Sequence, residues 1–438
     1  MDFGHKSQRW ESCAKLVGDV LSIDHVRLQG QTILYRVDVN SPLDPSTGKL
    51  LDDGRLRAIL PTLREMDRSK VVIMAHQSRP GKSDYTSTEE HSIILQELLG
   101  KKIGFVPDVC GKMAIDAIGS MTEGEVIFLD NVRGVREEYG GKRYNSNEET
   151  ENTNIASVLS EVADIYVSDA FAAAHRRSPT LTGFTGTIPC VAGRLMQKEI
   201  EGLRVAIRDP PNPYLVILGG AKCDDSLRVA INLIARGKLE RIAFVGVVGN
   251  LMLWASGVDI GERNSEFIRE SLGEQFDGTW GQAESLISNH SDLLFMPRDV
   301  AVEKDGARFP LSLEDLPTNY PIYDVGIQTL MDLKPLVHSA GCILWNGPAS
   351  YFELPDFAFG TIEILNMCVE SPGMAIIGGG HTSALVNQRG VANEVYHNST
   401  GGGSTISFLS GESMPVIASL KDSRKKFEGA LEDLGLSP

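Results

Sequence analysis

Short apolar runs recur along the whole chain, separated by longer stretches in which apolar positions fall three or four residues apart. The runs at 32–39, 71–75, 126–129 and 165–167 lie in the first half, and those at 215–218, 242–245, 343–345 and 375–377 in the second. They are rich in Val, Ile and Leu and alternate little between apolar and polar, which predicts parallel strands covered on both faces. The stretches 55–66, 152–162, 225–236 and 357–368 carry a helical apolar stripe and predict amphipathic helices. Strand and helix patterns that alternate in this way predict an α/β fold built on parallel sheets. A further helix is expected over 193–209, and Pro210-Pro211-Asn212-Pro213 ends it firmly. The chain should therefore divide near 190–212. This gives an N-terminal domain over 1–192, a connecting helix and hinge over 193–212, and a C-terminal domain over 213–412.

Composition narrows the class. The 438 residues exceed one ordinary core and suit two domains of about 150–250 residues each. A hydrophobic share of 42% and a charged share of 23% are those of a globular protein rather than a disordered one. A net charge of −16 argues against nucleic acid or an anionic membrane as the main partner. The six cysteines, Cys13, Cys110, Cys190, Cys223, Cys342 and Cys368, form no C-x-x-C pair and read as reduced thiols of a cytoplasmic protein. No apolar core follows a basic start, so no secretory signal is expected. The most apolar stretch, 242–258, is broken by Gly246, Gly249 and Asn250, and reads as strand, glycine turn and helix rather than a membrane span.

The residues just past each expected strand carry the chemistry. Asp38 and Asn40 follow one, His76 and Arg79 another, then come Arg133, Asp169, Gly219-Gly220, Asn346-Gly347 and Gly378-Gly379-Gly380. Open parallel sheets bind ligands at the carboxyl ends of their strands, so each half is expected to hold a site. The first half gathers Arg36, Arg55, His76, Arg79, Arg133 and Arg176 within an acidic chain. Any one of these arginines reads equally as solvated surface. Together, with Asp38 and Asn40 to hold a hydroxyl, they describe a pocket for a small polyanion, because a guanidinium meets carboxylate or phosphate with two hydrogen bonds. The second half offers Gly219-Gly220-Ala221-Lys222, and Ser399-Thr400-Gly401-Gly402-Gly403-Ser404 ahead of an apolar helical stretch. Glycines before a helix let backbone N–H groups reach phosphate oxygens, although each cluster alone also reads as a tight turn. No G-x-x-x-x-G-K-[ST] loop, no protein-kinase motif set and no H-E-x-x-H pattern is found, and no G-x-G-x-x-G opens the first βα unit. The missing dinucleotide loop makes a nicotinamide-dependent dehydrogenase the remotest alternative.

Taken in order, the motifs resemble those of the phosphoglycerate kinase family along almost the whole chain. They are Arg36-Val-Asp-Val-Asn-Ser-Pro42, Ala75-His-Gln-Ser-Arg-Pro80, Asp130-Asn-Val-Arg133, Asp169-Ala-Phe-Ala-Ala-Ala-His-Arg176, Gly219-Gly-Ala-Lys222, Asn346-Gly-Pro348, Gly378-Gly-Gly-His-Thr382 and Ser399-Thr-Gly-Gly-Gly403. The second and the seventh are similar to the archaeal branch. The resemblance implies two Rossmann-like domains joined by a hinge helix, with 413–438 returning to pack on the first. It implies reversible phosphoryl transfer between 1,3-bisphosphoglycerate and ADP, giving 3-phosphoglycerate and ATP. It assigns Asp38, Asn40, Arg55, His76, Arg79, Arg133 and Arg176 to 3-phosphoglycerate. Gly219, Lys222, Asn346, Glu353, Gly379, Gly380, His381 and Thr382 fall to the nucleotide, together with the helix start at Gly401, Gly402 and Gly403. Mg²⁺ is the implied cofactor, and the protein is expected to be a monomer or a homodimer.

Four positions depart from the family pattern. Gly134 stands where an aromatic residue usually follows the arginine, Val245 replaces a glycine, and Ser226 replaces a second lysine. His381 replaces an aspartate used near magnesium, which leaves Asp224 and Asp225 as the candidate metal ligands. Two alternatives stay open here: a paralogue that binds or regulates, and a kinase of this fold acting on another carboxylate.

The acceptor carboxylate has an ordinary pKa near ~4 and needs no general base. Catalysis is then positioning and charge neutralisation, with Arg55, Lys222, Gly402 and Gly403 as the expected catalytic groups and a hinge closure to bring the sites together.

Overall fold

In the computed structural model, which describes residues 19–44 and 47–438, the chain forms two compact units. Cys13 lies outside the described residues. One unit comprises the described residues up to Ile200 together with Ser413–Pro438, and the other contains Glu201–Glu412.

The first unit is built on β1 (Thr32–Val37), β2 (Lys70–Met74), β3 (Gly104–Val106), β4 (Val126–Leu129), β5 (Ile165–Asp169) and β6 (Cys190–Ala192). They form one parallel sheet in the order β3-β4-β2-β1-β5-β6. Every residue of β1 is buried, as a strand covered on both faces requires. Helices α1 (Gly54–Glu65), α2 (Glu89–Leu99), α3 (Lys112–Gly119) and α4 (Asn154–Ser160) supply the connections. Helix α1 presents Leu56, Ile59, Leu60 and Leu63 to a core that also holds Ile33, Tyr35, Val71 and Ile73. The C-terminal helix Pro415–Phe427 packs on β6, where Ser423 Oγ accepts from the Cys190 N–H at 2.7 Å, and Phe427, Leu431 and Leu436 join the same core.

Asp169, at the end of β5, is buried and accepts from the hydroxyls of Tyr35 (2.8 Å) and Thr62 and from the Met196 N–H (2.9 Å). It thereby satisfies an otherwise unpaired donor in the first turn of α5 (Arg194–Ile207). The boundary between the two units falls inside α5.

The second unit has β7 (Tyr214–Leu218), β8 (Arg241–Phe244), β9 (Leu294–Phe295), β13 (Cys342–Asn346), β14 (Met374–Gly378) and β15 (His397–Asn398) in a parallel sheet ordered β15-β14-β13-β7-β8-β9. A separate antiparallel sheet, β11-β10-β12, consists of β10 (Asp299–Lys304), β11 (Ala307–Ser312) and β12 (Ile322–Val325). The apolar patterns do not predict this second sheet. Its helices include α6 (Cys223–Ala235), α7 (Gly246–Ala255), α8 (Glu262–Leu272), α9 (Phe276–His290), α10 (Ile327–Ser339), α11 (Phe359–Glu370), α12 (Gly380–Gln388) and α13 (Gly403–Leu409). Register places Leu218, Asn346 and Gly378 side by side, so the loops after β7, β13 and β14 emerge at one level.

Candidate active site

In the first unit the strand order changes direction at β1, which has β2 on one side and β5 on the other. Such switch points open a crevice at the carboxyl ends of the strands. Asp38 leaves β1 there, and its carboxylate meets Arg55 Nη1 at 2.8 Å and accepts from the Asn40 N–H at 2.9 Å. Asn40 Oδ1 accepts from the Ser78 N–H at 2.7 Å, fixing the loop after β2. That loop brings His76, whose Nδ1 lies 3.2 Å from Arg36 Nη2. Arg36 is almost fully buried and has no carboxylate in direct contact among the described residues. Its Nε donates to Thr180 Oγ1 at 3.0 Å, and Thr180 in turn donates to Glu138 at 2.7 Å. Arg133 donates to the Ser78 carbonyl and stacks 5.6 Å from the Tyr139 ring, and Arg176 Nε donates to His175 at 3.2 Å.

The titration behaviour of these groups shows that they share one field. Burial alone would raise the Asp38 carboxyl, but Arg55, with His76, the Asn40 N–H and Arg36, outweighs it and holds the carboxyl at about 2. Burial, reinforced by Arg36, Arg133 and Arg176, pushes His76 well below its ordinary value even though Asp38 opposes it, so His76 is neutral at pH 7. Burial and the neighbouring cations Arg176, Arg36 and Arg79 bring Arg133 down to about 10. Burial also lowers Arg176, again with Arg79 and Arg36 contributing. Asp38, Asn40, Arg55, His76, Arg79, Arg133 and Arg176 thus surround one place, with Arg79 exposed at its rim. Clustered cations that depress one another's pKa lack sufficient negative charge among themselves.

Asp38 makes this testable through stability. Its folded value lies below the ordinary value near ~4, so its contribution is present above pH ~4 and is lost as pH falls toward 2. Unfolding free energies from urea titrations between pH 5 and pH 2 should fall more steeply for the wild type than for Asp38→Asn, by about 2 kcal/mol in total. Parallel curves would show that the ion pair contributes nothing.

The second unit holds a cavity of about 740 Å³ at the carboxyl ends of its parallel strands. The sheet changes direction between β7 and β13, and the loops after them interlock: the Gly219 N–H donates to the Asn346 carbonyl at 2.9 Å and the Gly220 N–H to that of Pro348 at 2.7 Å. A Cβ on Gly219 would collide with the Pro348 carbonyl oxygen and stand 2.7 Å from that of Gly347. Trp345, wholly buried, donates its indole N–H to the Gly347 carbonyl at 2.8 Å and holds the loop from beneath.

Gly219, Lys222, Asn346, Glu353, Gly379, Gly380, His381, Gly402 and Gly403 all border this cavity. Thr382 stands behind the wall, its hydroxyl donating to the carbonyls of Gly378 and Gly379. Lys222 is exposed at the start of α6, and no hydrogen bond or ion pair joins its ammonium group to the described residues. Asn346 Oδ1 is buried without a partner among the described residues. Helix α13 is only seven residues long, so its contribution comes from local N–H groups more than from a macrodipole. Asp225 borders the cavity and Asp224 does not; both pair with Arg228, which also holds Glu412 at 2.6 Å.

The four departures have local explanations. A Cβ on Gly134 would already stand 3.2 Å from Tyr85 Oη, so an aromatic side chain from another loop fills that space. Val245 has extended backbone that needs no glycine, and its side chain packs in the core. Ser226 is buried and donates to the Gly219 carbonyl at 3.4 Å. His381 is exposed at the cavity edge, 6.3 Å from the Phe352 ring. Tyr85, Glu138 and Tyr139 escape a reading of the sequence, because their place beside the arginines depends on loops far apart in the chain.

The profile of the family described as "Phosphoglycerate kinase" matches residues 23–412. The chain belongs to the phosphoglycerate kinase family. The phosphoglycerate kinase of Methanothermus fervidus is 40% identical over 407 residues, covering 92% of this chain and 98% of that protein. That of Thermoplasma acidophilum is 38% identical, covering 92% and 97%. The crystal structure of phosphoglycerate kinase from Pyrococcus horikoshii OT3 superposes with a TM-score of 0.85 at 36% identity, covering 93% of this chain and all of that one. These relatives are archaeal, the branch the motifs resemble. Membership of the phosphoglycerate kinase family makes the chain an enzyme, a kinase with the family's activity on the family's two-domain α/β fold.

Proposed function

We propose that this chain transfers a phosphoryl group reversibly between 1,3-bisphosphoglycerate and ADP, with the acidic substrate held in the first unit and the nucleotide in the second. The observation that carries the assignment is the five-arginine crevice around Asp38 and His76, in a chain of net charge −16. Its cations depress one another's pKa and so favour a small ligand with several negative charges. Arg133, Arg176 and Arg79 would take the phosphate and carboxylate of 3-phosphoglycerate, Asp38 and Asn40 its hydroxyl. Neutral His76 would serve as a hydrogen-bonding group rather than a cation.

Arg55 is spent on Asp38 in this structure, and its side chain is a third exposed. A hydroxyl arriving at Asp38 would compete with Arg55 and free it to meet the transferring phosphoryl. The acceptor carboxylate is ionised at neutral pH, so no general base is assigned. Lys222 and the N–H groups at Gly402 and Gly403 would neutralise the same phosphoryl from the nucleotide side.

Magnesium fits as an ion carried chiefly by nucleotide phosphates. Among the described residues no group of three or more His, Cys, Asp or Glu side chains is arranged to hold a metal. Asp225 is a carboxylate on the cavity wall, engaged by Arg228, and would supply one oxygen ligand, as suits an ion that keeps water and phosphate in its shell. Bound there, the ion would offset phosphate charge. Asp224, off the wall, is the weaker candidate.

We place the protein in the cytoplasm, with no nucleic acid or membrane as partner; among the described residues no helix is long and apolar enough to cross a membrane. Helix α5 and its proline exit would act as the hinge. Small-angle scattering with both substrates should give a smaller radius of gyration than with either alone, and an unchanged radius would count against closure. A coupled assay with ATP and a panel of carboxylate acceptors tests the activity: 3-phosphoglycerate should be preferred by at least about tenfold. Equal rates with other acceptors would overturn the substrate assignment.

A further inference from the structure

Side chains from distant parts of the first unit form one hydrogen-bonded row that ends on His76. Glu138 Oε1 accepts from the Thr180 hydroxyl at 2.7 Å, Thr180 Oγ1 accepts from Arg36 Nε at 3.0 Å, and Arg36 Nη2 lies 3.2 Å from His76 Nδ1. Thr180 is wholly buried, and Arg36 and His76 nearly so. Arg36 also donates from Nη1 to the Val37 carbonyl, which fixes the plane of its guanidinium. Glu138 is anchored in turn by the Ser178 hydroxyl at 2.6 Å and the Thr180 N–H at 2.8 Å, at the start of the short helix Pro179–Thr182.

The chemistry of these groups fixes the direction of every bond in the row. A guanidinium has donors only, and an ionised carboxylate has acceptors only. Thr180 must therefore offer Arg36 a lone pair, so its own proton goes to Glu138. At the other end His76 Nδ1 faces a donor and must accept. A neutral imidazole carries one proton, which then sits on Nε2. A second proton, on Nδ1, would set one N–H against another at the Arg36 contact. This agrees with the neutral state that burial, reinforced by Arg36, Arg133 and Arg176, imposes on His76 against the pull of Asp38.

We infer that Thr180 and Glu138 are positioning residues which, through Arg36, hold His76 in the tautomer that donates from Nε2 to the acidic substrate. The inference rests on the crevice being the 3-phosphoglycerate site. Without the Thr180 hydroxyl, Arg36 Nε loses its acceptor in a buried place, and the guanidinium must turn to find another. Its Nη2 then no longer claims Nδ1, and nothing in the row selects between the two neutral forms of His76. The form with its proton on Nδ1 would point a lone pair, not a donor, at a phosphate or carboxylate oxygen.

Nitrogen NMR of the full-length protein with isotopically labelled histidine tests this, with His76 assigned by the signals missing from His76→Gln. The wild type should carry the His76 proton on Nε2. Thr180→Val keeps nearly the same shape without the hydroxyl. It should populate the Nδ1–H form and raise the KM for 3-phosphoglycerate at least about tenfold, as for a lost hydrogen bond to a charged group, with the KM for ATP within about twofold. Thr180→Ser should restore both readouts. Should Thr180→Val not fold, Glu138→Gln, which puts an N–H among three donors, should move the tautomer and the KM in the same direction. A wild-type proton on Nδ1, a variant spectrum unchanged from wild type, or a shifted tautomer with unchanged KM would each overturn the inference. If the wild type carries the proton on Nε2 but 3-phosphoglycerate neither perturbs the His76 signals nor supports turnover, the substrate reading of the crevice fails, and the role given to the tautomer fails with it.

Discussion

Lys222→Ala is expected to lower turnover by about 10²- to 10³-fold, with the KM for nucleotide changing less than threefold. The charge sits directly after Gly219-Gly220-Ala221, at the start of α6, and is exposed. No partner among the described residues restrains it, so it can follow a phosphoryl group in flight. Arg228, six residues further along α6, is instead committed to Asp224, Asp225 and Glu412 and offers no such freedom. A cation of this kind binds the charge that develops during transfer more strongly than the ground state, which is why kcat rather than KM should fall. The coupled assay at saturating substrates measures it. A variant within threefold of wild-type turnover would remove Lys222 from the mechanism.

Gly219→Ala is expected to destabilise the second unit by about 3 kcal/mol or more and to abolish nucleotide binding. The new methyl group would meet two backbone carbonyls, those of Pro348 and Gly347, rather than the flexible end of a side chain. Neither oxygen can retreat easily, because Gly220 N–H and Trp345 Nε1 hold them at 2.7 and 2.8 Å. The loops after β7 and β13 would have to part, and the floor of the cavity would open. Thermal unfolding by calorimetry, with and without ADP, decides the matter; a variant with wild-type midpoint and ADP-induced shift would refute the packing argument.

The long parallel strands were legible because burial on both faces leaves uninterrupted Val, Ile and Leu. The run 126–129 coincides with β4, and 215–218 misses β7 by one residue. The run 32–39 overreaches β1 by two residues, since Asp38 turns out of the sheet to meet Arg55. Strands β3, β6 and β9, of two or three residues, are too short to carry any period. The β10–β12 sheet is hidden for another reason: β11 contains Pro310 and lies largely exposed, so its composition resembles a loop.

Candidate site residues were legible where chemistry and strand ends coincide, as with His76 after β2 and Gly219 after β7. Glu138 was not, because its bearing on Arg36 passes through Thr180, 42 positions away.

The first unit is assembled from both ends of the chain, its core receiving Phe427, Leu431 and Leu436 from the C-terminal segment. During synthesis, therefore, the ribosome must traverse Glu201–Glu412 before the last pieces of that core exist. At about 5–20 residues per second, the nascent N-terminal sheet waits on the order of 10–40 seconds with β6 uncovered. The described residues of the second unit, Glu201–Glu412, form one continuous segment and can mature first, so the order of folding inverts the order of translation.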